Sequence, residues 1–453
     1  MLDAIRELLF GPDDPTKIIE CSANSTCEIT HAIVGALVVF VILLTGFAYT
    51  TVLERRLIAS IQSRVGPNRA GPQGLLQPVA DGIKLIFKED LTPNRADRFV
   101  FYLAPLLKVI PALLVLAVVP LGPKLLIPWF DGNWYRVSQG LIDVNVGVLY
   151  LLAVTSVSVY GSSLAGWASN NKYAMLGGLR ASAAMISYEL SMGILFAVPV
   201  LLAASMSLGD IIGEQRGFFN WYVWHNPLAA VLLGVALIAE INRGPFDMPE
   251  AEQELVAGHM TEYSGMKFAM FFMAEYINMI GVSVIFCALF LGGYDDGLGL
   301  VSGAPILGVP VLALKVIVLL AIMVWIRATV FRLRYDRLMS FGWKIMLPLS
   351  LIAVAWTAVA ITIAEEGGGD TAYLISSIVL LVIVAGVGYM LSRTAGPLTP
   401  PDPGQTTMVP SGATSIGAVL LQFVGVIFAI PFMIYETVTG GSREQSIEDK
   451  AKS

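Results

Sequence analysis

The sequence predicts an all-α, polytopic bundle of transmembrane helices, with about ten spans, one interfacial amphipathic helix and a short helix in an acidic cytoplasmic loop. Two observations predict it. The chain of 453 residues is 56% hydrophobic and only 14% charged, whereas a soluble domain carries about 25% charged residues and rarely exceeds about 50% apolar. Mostly apolar stretches of about 20 residues, enough to cross the hydrocarbon core, recur near 31–53, 99–122, 143–165, 182–206, 221–241, 266–292, 309–331, 343–364, 371–391 and 415–438. The net charge of −6 says little about partners, because the charge is segregated by loop.

Taken in order, residues 1–30 form an outer segment holding Asp3, Glu7, Asp13, Asp14, Glu20 and Glu28. It has no apolar core, so it does not read as a cleaved signal peptide. Most Lys and Arg lie in 54–98, 166–181, 242–267, 327–344 and 392–414. The positive-inside bias therefore puts these segments in the cytoplasm and the N-terminus outside. In an oxidising outer compartment Cys21 and Cys27 either pair as a disulfide or stay as two free thiols. Cys287 is alone in a span, so four cysteines for an iron–sulfur site are lacking. No glycine-rich dinucleotide motif and no His-x-x-x-His pair is present, which assigns any redox carriers to partner subunits.

The first inner segment begins LERRLIASIQSRVGPNRAGPQG, in which Gly66, Pro67, Gly71, Pro72 and Gly74 interrupt regular structure. In LLQPVADGIKLIFKED, Leu75, Leu76, Val79, Ile83, Ile86 and Phe87 fall on one helical face, with Gln77, Asp81, Lys84 and Lys88 opposite. This helix is too short and too charged to span; it lies flat at the inner surface or packs on the protein's own spans. Residues 392–414, rich in Pro, Gly, Ser and Thr, read as a linker to the last span.

The stretch AEINRGPFDMPEAEQELVAGHMTEY, residues 239–263, concentrates acid between apolar runs. Asp247, Pro249 and Glu250 fit the start of a short helix from about Met248 to Ala257, ended by Gly258. Glu250 and Glu254 share one face of it and Glu252 points elsewhere. Deeper in the spans lie Glu189 in ISYELSMGIL and Glu275 in FFMAEYINMIG, while Glu54 and Glu240 sit at inner span ends. An acid at mid-bilayer costs about 2.5–3.5 kcal/mol on insertion scales, so such residues line a wet or paired interior. Together the four describe a polar path opening to the cytoplasm. Glu54 and Glu240, next to Arg55 and Arg243, also fit interfacial ion pairs. Lys108 and Lys315 either partner the acids or snorkel to an interface. His259, a lone loop histidine, reads as solvated.

Three long blocks carry a family resemblance: ERRLIASIQSRVGPNRAGPQGLLQPVADGIKLIFKED, GWASNNKYAMLGGLRASAAMISYE and AEINRGPFDMPEAEQELVAGHMTEYSGMKFAMFFMAEY. From about residue 31 to 364 the chain resembles the H subunit (mitochondrial subunit 1) of the proton-pumping NADH:quinone oxidoreductase, respiratory complex I. That resemblance implies a core over 31–364 and an extension over 365–453. It implies a subunit without a redox centre, multi-pass in a bacterial plasma membrane, that forms the quinone chamber with peripheral-arm subunits and adjoins other membrane-arm subunits and lipid. The same resemblance implies no nucleic-acid partner, quinone as the substrate, and FMN and iron–sulfur clusters held by partner subunits. By position, Glu189, Glu240 and Glu275 match a buried proton path. Asp247, Glu250, Glu252, Glu254 and Glu262 match the acidic loop at its entrance. Glu54, Arg55, Gln62, Arg64, Asp81 and Lys84 match the quinone opening and the contact with the peripheral arm, and Arg180 and Arg243 match loop arginines that pair with the acids. Ser60 stands where many members have Tyr. A related subunit of a membrane-bound hydrogenase or a non-NADH dehydrogenase shares the acidic loop. A secondary transporter is the reading from another class, but no inverted repeat supports it.

Overall fold

A computed structural model describes residues 18–21, 25–128, 134–247, 256–330 and 332–365, with 373, 375–380 and 382 beyond them. The chain divides into two compact units, Met1–Ser377 and Ile378–Ser453, and the bundle described below belongs to the first. Seven helical stretches are long and apolar enough to cross a membrane, and a shorter apolar helix, Pro227–Glu240, joins them. They match the first eight expected spans. The ninth is described only at a few residues between 373 and 382, and the tenth lies outside the described residues.

Helix α1, Ser25–Ile61, has 37 residues and is ~55 Å long, well beyond the ~30 Å hydrocarbon core. Its excess length carries Glu54, Arg55 and Arg56 past its apolar stretch, at the end expected to face inward. Helix α2, Gln77–Phe87, is the expected amphipathic element and buries no residue. Val79, Ile83, Ile86 and Phe87 are exposed, as an interfacial helix requires when its apolar face meets lipid. Its polar face turns to α1, where Asp81 accepts from Arg55 at 2.7 Å and lies 3.7 Å from Lys84.

Helices α3 (Arg98–Leu114), α4 (Gly147–Ala168) and α5 (Lys172–Ala203) pack in succession. Asp97 caps α3 through the Val100 amide, and Asn171 caps α5 through the Tyr173 amide, each satisfying an otherwise orphaned donor. After the short α6, Leu208–Glu214, helix α7 spans Pro227–Glu240. Its 14 residues reach only ~21 Å. Its outer end is set by Asn226, which caps the Ala229 amide and donates to Thr357 Oγ1 at 2.8 Å. Helix α8, Gly265–Phe290, is the most enclosed of the long spans and packs on α1, α2, α3 and α7. Helix α9, Gly308–Thr329, follows, then α10, Tyr335–Phe341, and α11, Leu347–Ile363.

The all-α expectation holds, with one small addition to the helices. A small sheet of order β1-β3-β2 lies in the segments assigned outside, built from β1 (Ile18–Glu20), β2 (Leu125–Pro128) and β3 (Trp134–Val137). Strand β1 runs parallel to β3 with Ile18 opposite Trp134, and β2 runs antiparallel with Leu125 opposite Val137. Of the two states left open for the N-terminal cysteines, the structure has the disulfide: Cys21 and Cys27 are bonded, with Cα atoms 5.5 Å apart. It ties β1 to the start of α1 and packs with Tyr135 and Val137.

Candidate functional site: a buried charge row

The site begins at the inner end of α1. Glu54 is buried and bridges Arg327 from α9 and Arg243 from the loop after α7, the latter at 3.6 Å. Arg243 also lies over the Tyr276 ring of α8, 4.3 Å from its centroid. These groups border a small cavity of about 10 Å³, room for about one water, lined by Glu54, Arg243, Arg327, Met279, Met323 and Val324. The expected pairing of Glu54 with its neighbour Arg55 is therefore corrected. Adjacent residues on a helix point apart, and Arg55 turns to Asp81 on α2. Arg64 binds Gln62 at 2.7 Å, so these two share a local contact near the same inner surface. Arg327 was missed by sequence reasoning as a site residue; its only signal there was a basic residue at an inner span end.

Glu240, the last residue of α7, is buried and lines a second small cavity of about 10 Å³ with Thr155, Ser158, Ile241, Asn278 and Val282. Its Oε2 has no hydrogen-bond partner within the described protein. Ile241 lines both cavities, so the charge cluster and Glu240 stand on either side of one residue. Glu240 lies within electrostatic reach of Glu189 and of Lys108. Glu189, on α5, accepts from Ser156 of α4. Glu275, on α8, is buried and in electrostatic reach of Lys108. The structure thus brings together Glu189, Glu240 and Glu275, which lie on three different helices.

The two lysines left open separate. Lys108 on α3 turns inward: it is 4% exposed, and its Nζ donates to Ser162 Oγ at 3.1 Å and lies 3.7 Å from the Met185 sulfur. The backbones meet there because residue 161 is glycine; a Cβ would stand 3.0 Å from the Lys108 amide. Lys315 turns outward and donates to the carbonyls of Leu291, Gly293 and Asp295 at 2.6, 3.0 and 2.5 Å. It caps the outer end of α8 and takes no part in the acid row.

Of the acidic loop, Asp247 is buried and binds Arg332 at 2.6 Å. Glu262 accepts from Asn171 at 2.7 Å. Glu250, Glu252 and Glu254, and with them most of the expected helix from Met248 to Ala257, lie outside the described residues. Arg180 on α5 turns to α10, with its guanidinium 5.5 Å from the Tyr335 ring centroid. His259 corrects the expectation of a solvated loop histidine. It is 2% exposed, packs edge-on against Phe271, and neither ring nitrogen has a hydrogen-bond partner within the described protein. Burial, aided by the charge of Lys108, pushes its imidazole down to about 3. The loop docks this closely because Gly258 meets Gly177 of α5, where a Cβ would come within 2.4 Å of the Gly258 Cα.

Comparison with known proteins gives a consistent picture. A family described as NADH dehydrogenase matches residues 34–358. The NADH-quinone oxidoreductase H subunit numbered 2 in Geobacter metallireducens is 48% identical over 337 residues, which are 73% of this chain and 95% of that protein. The H subunit of the same enzyme in Thermomicrobium roseum is 49% identical, covering 72% of this chain and 95% of that one. NADH-quinone oxidoreductase subunit 8 of Thermus thermophilus is 47% identical, covering 72% and 86%.

Proposed function

Because the chain belongs to the NADH dehydrogenase family, as a membrane subunit of NADH-quinone oxidoreductase akin to the H subunits, we propose that it forms the quinone chamber of that complex and couples quinone reduction to proton translocation through its buried carboxylates. The observation that carries this reading is the set of ionisable groups inside the helices, Glu240, Glu275 and Lys108 buried and Glu189 half-buried, next to the paired Glu54, Arg243 and Arg327. A stable bundle has no use for so many charges in its apolar interior, since each costs free energy unless it is paired or wet.

Electrons reach the quinone from FMN and iron–sulfur clusters held by peripheral-arm subunits; this chain supplies no carrier. Its own groups act on charge. Glu54, Arg55, Gln62, Arg64, Asp81 and Lys84 line the inner opening, where the ion pair of Arg55 with Asp81 fixes α2 against α1. By the family resemblance Asp247, Glu250, Glu252, Glu254 and Glu262 belong to the acidic approach, and Arg180 and Arg243 to its basic complement. Negative charge arising on quinone, or on the acids around it, raises the tendency of the next carboxylate to take a proton. Two unit charges about 4 Å apart interact by about 4 kcal/mol at an effective dielectric of 20, enough to move a proton across roughly three pKa units. Glu240, Glu275 and Glu189 then pass that proton on towards the adjoining membrane-arm subunits. The Lys and Arg bias and the outer disulfide support a bacterial plasma membrane with the N-terminus outside.

The test is Glu189→Gln in the assembled complex. Assembly should persist while quinone-linked pumping falls about tenfold or more. Unchanged pumping would leave Glu189 a structural residue and remove the reading.

A further inference from the structure

Helix α2 buries no residue, so close packing does not fix its place and polar contacts must. Midway along it, Asp81 accepts from Arg55 of α1 at 2.7 Å. Its C-terminal end runs against the start of α8. Residue 265 there has a φ of 57°, and a Cβ on it would stand 3.4 Å from the Lys88 carbonyl oxygen and 3.7 Å from those of Leu85 and Glu89. Glycine is the residue that allows both. Two side chains beside Gly265 then strap down the residues that follow α2. Ser264 Oγ accepts from the Leu91 amide at 2.9 Å and donates to the Glu89 carbonyl at 3.2 Å. Lys267 Nζ reaches Asp90 Oδ1 at 2.9 Å, Thr92 Oγ1 at 3.0 Å and the Leu91 carbonyl at 3.3 Å, three acceptors for its three N–H donors.

A lysine near the end of a span ordinarily extends its stem to water. The Lys267 side chain is instead only 7% exposed, with the Tyr102 and Phe101 ring centroids 4.6 and 4.8 Å from Nζ and Tyr263 stacked on Phe101 at 4.1 Å. Aromatic faces attract a cation, so rings on one side and the strap on the other hold the ammonium in one place. We infer that Lys267 is a positioning residue for quinone: it fixes residues 89–92, and through them the end of α2, so that the inner opening keeps one shape. The inference rests on the proposed reading that α2 frames that opening. Lys267 touches no reacting atom in this role and acts on a population. When α2 samples several positions, the apparent affinity for quinone falls with the fraction that keeps the opening formed, while the chemistry after binding is untouched.

Three variants test this in the assembled complex in native membranes: Lys267→Met keeps the stem without the charge, Lys267→Arg keeps a cation, and Asp81→Asn loosens α2 from α1. Hydrogen exchange of peptides from 85–97 reads the strap. NADH oxidation with decylubiquinone or menadione, whichever the wild type reduces faster, reads KM and kcat, and NADH oxidation by ferricyanide reads the peripheral arm without quinone. Lys267→Met should speed exchange in the strap and raise the quinone KM about threefold or more with kcat within about twofold, leaving the ferricyanide rate unchanged. Lys267→Arg should return both exchange and KM towards the wild type. Where Lys267→Met does not assemble, Ser264→Ala removes the other anchor of the strap and carries the same expectation. Unchanged exchange, or faster exchange with a wild-type KM while Asp81→Asn raises it, overturns the inference, as does a KM that Arg leaves as high as Met. A wild-type KM in both Lys267→Met and Asp81→Asn instead overturns the reading that α2 frames the quinone opening.

Discussion

Two regions of buried charge lie a few residues apart and are compensated in opposite senses. At the inner end of α1 one acid, Glu54, faces two guanidiniums, Arg243 and Arg327. Deeper in the bundle Glu240 and Glu275 lie within electrostatic reach of one ammonium, Lys108, and Glu189 within reach of Glu240. Where cations outnumber acids, charge is locked in ion pairs and the groups serve as fixed structure. Where acids lie in one another's field, a proton held by one lowers the repulsion on the next, which is the property the proposed path requires. Position alone does not separate these roles, since all four acids are buried or half-buried on apolar helices; the count of partners does.

The locked side is broken most severely by Glu54→Ala, which leaves two buried arginines without their carboxylate. Removing one partner of a buried pair costs about 3–5 kcal/mol. Native gels should therefore show little assembled complex, and normal assembly would mean that the cluster is not structural. Next in size is charge reversal in the loop: Glu250→Lys or Glu252→Lys should slow quinone reduction by about tenfold, equivalent to about 1.4 kcal/mol of barrier. Glu365→Lys, just past the far end of α11 in the segment assigned outside, should not, and equal effects would argue that the inner acids are merely solvated.

A smaller effect concerns His259, which titrates at about 3 in the fold against an ordinary 6.5. Between those values the unfolded chain binds a proton that the folded one does not. The stability contributed is thus complete above pH 6.5 and is lost as pH falls through the window, by at most about 1.4 kcal/mol per pH unit. His259→Phe removes the titration, so the thermal midpoint of the complex should fall less between about pH 7 and about pH 5 than in the wild type. An identical fall would show that the imidazole is not kept neutral by burial. Smallest of all in function is Lys315→Met. It removes three hydrogen bonds to loop carbonyls at the outer end of α8 and should lower the thermal midpoint by a few degrees with pumping intact. Lost pumping would extend the proton path to the outer surface.

Much of this was legible in the sequence, for physical reasons. Spans announce themselves by composition, and the amphipathic α2 by period, so both survive translation into structure. The deep acids were legible because an acid in an apolar run is costly and therefore conspicuous. Partners were not: Glu54 and Arg327 are 273 residues apart, and reading Arg55 as the partner mistook sequence neighbours for spatial ones. Lys108 and Lys315 could not be told apart because a long stem can reach in either direction; the closeness of α3 to α4 at Gly161 decides the first, and the carbonyls ending α8 decide the second. The outer sheet was hidden by its strands of three and four residues, too short to show alternation. His259 was misjudged because loops are usually wet, whereas here two glycines let the loop sink against α5.

If these acids move protons, Glu240 should reveal it most plainly, because it has a carboxylate oxygen without a partner within the described protein, beside a small cavity that Ser158 and Asn278 also line. The quantity to measure is the number of protons pumped per NADH by the Glu240→Gln complex in sealed vesicles. An assembled complex whose pumping falls about tenfold or more is expected; an assembled complex pumping at the wild-type ratio would mean that these acids do not carry the proton.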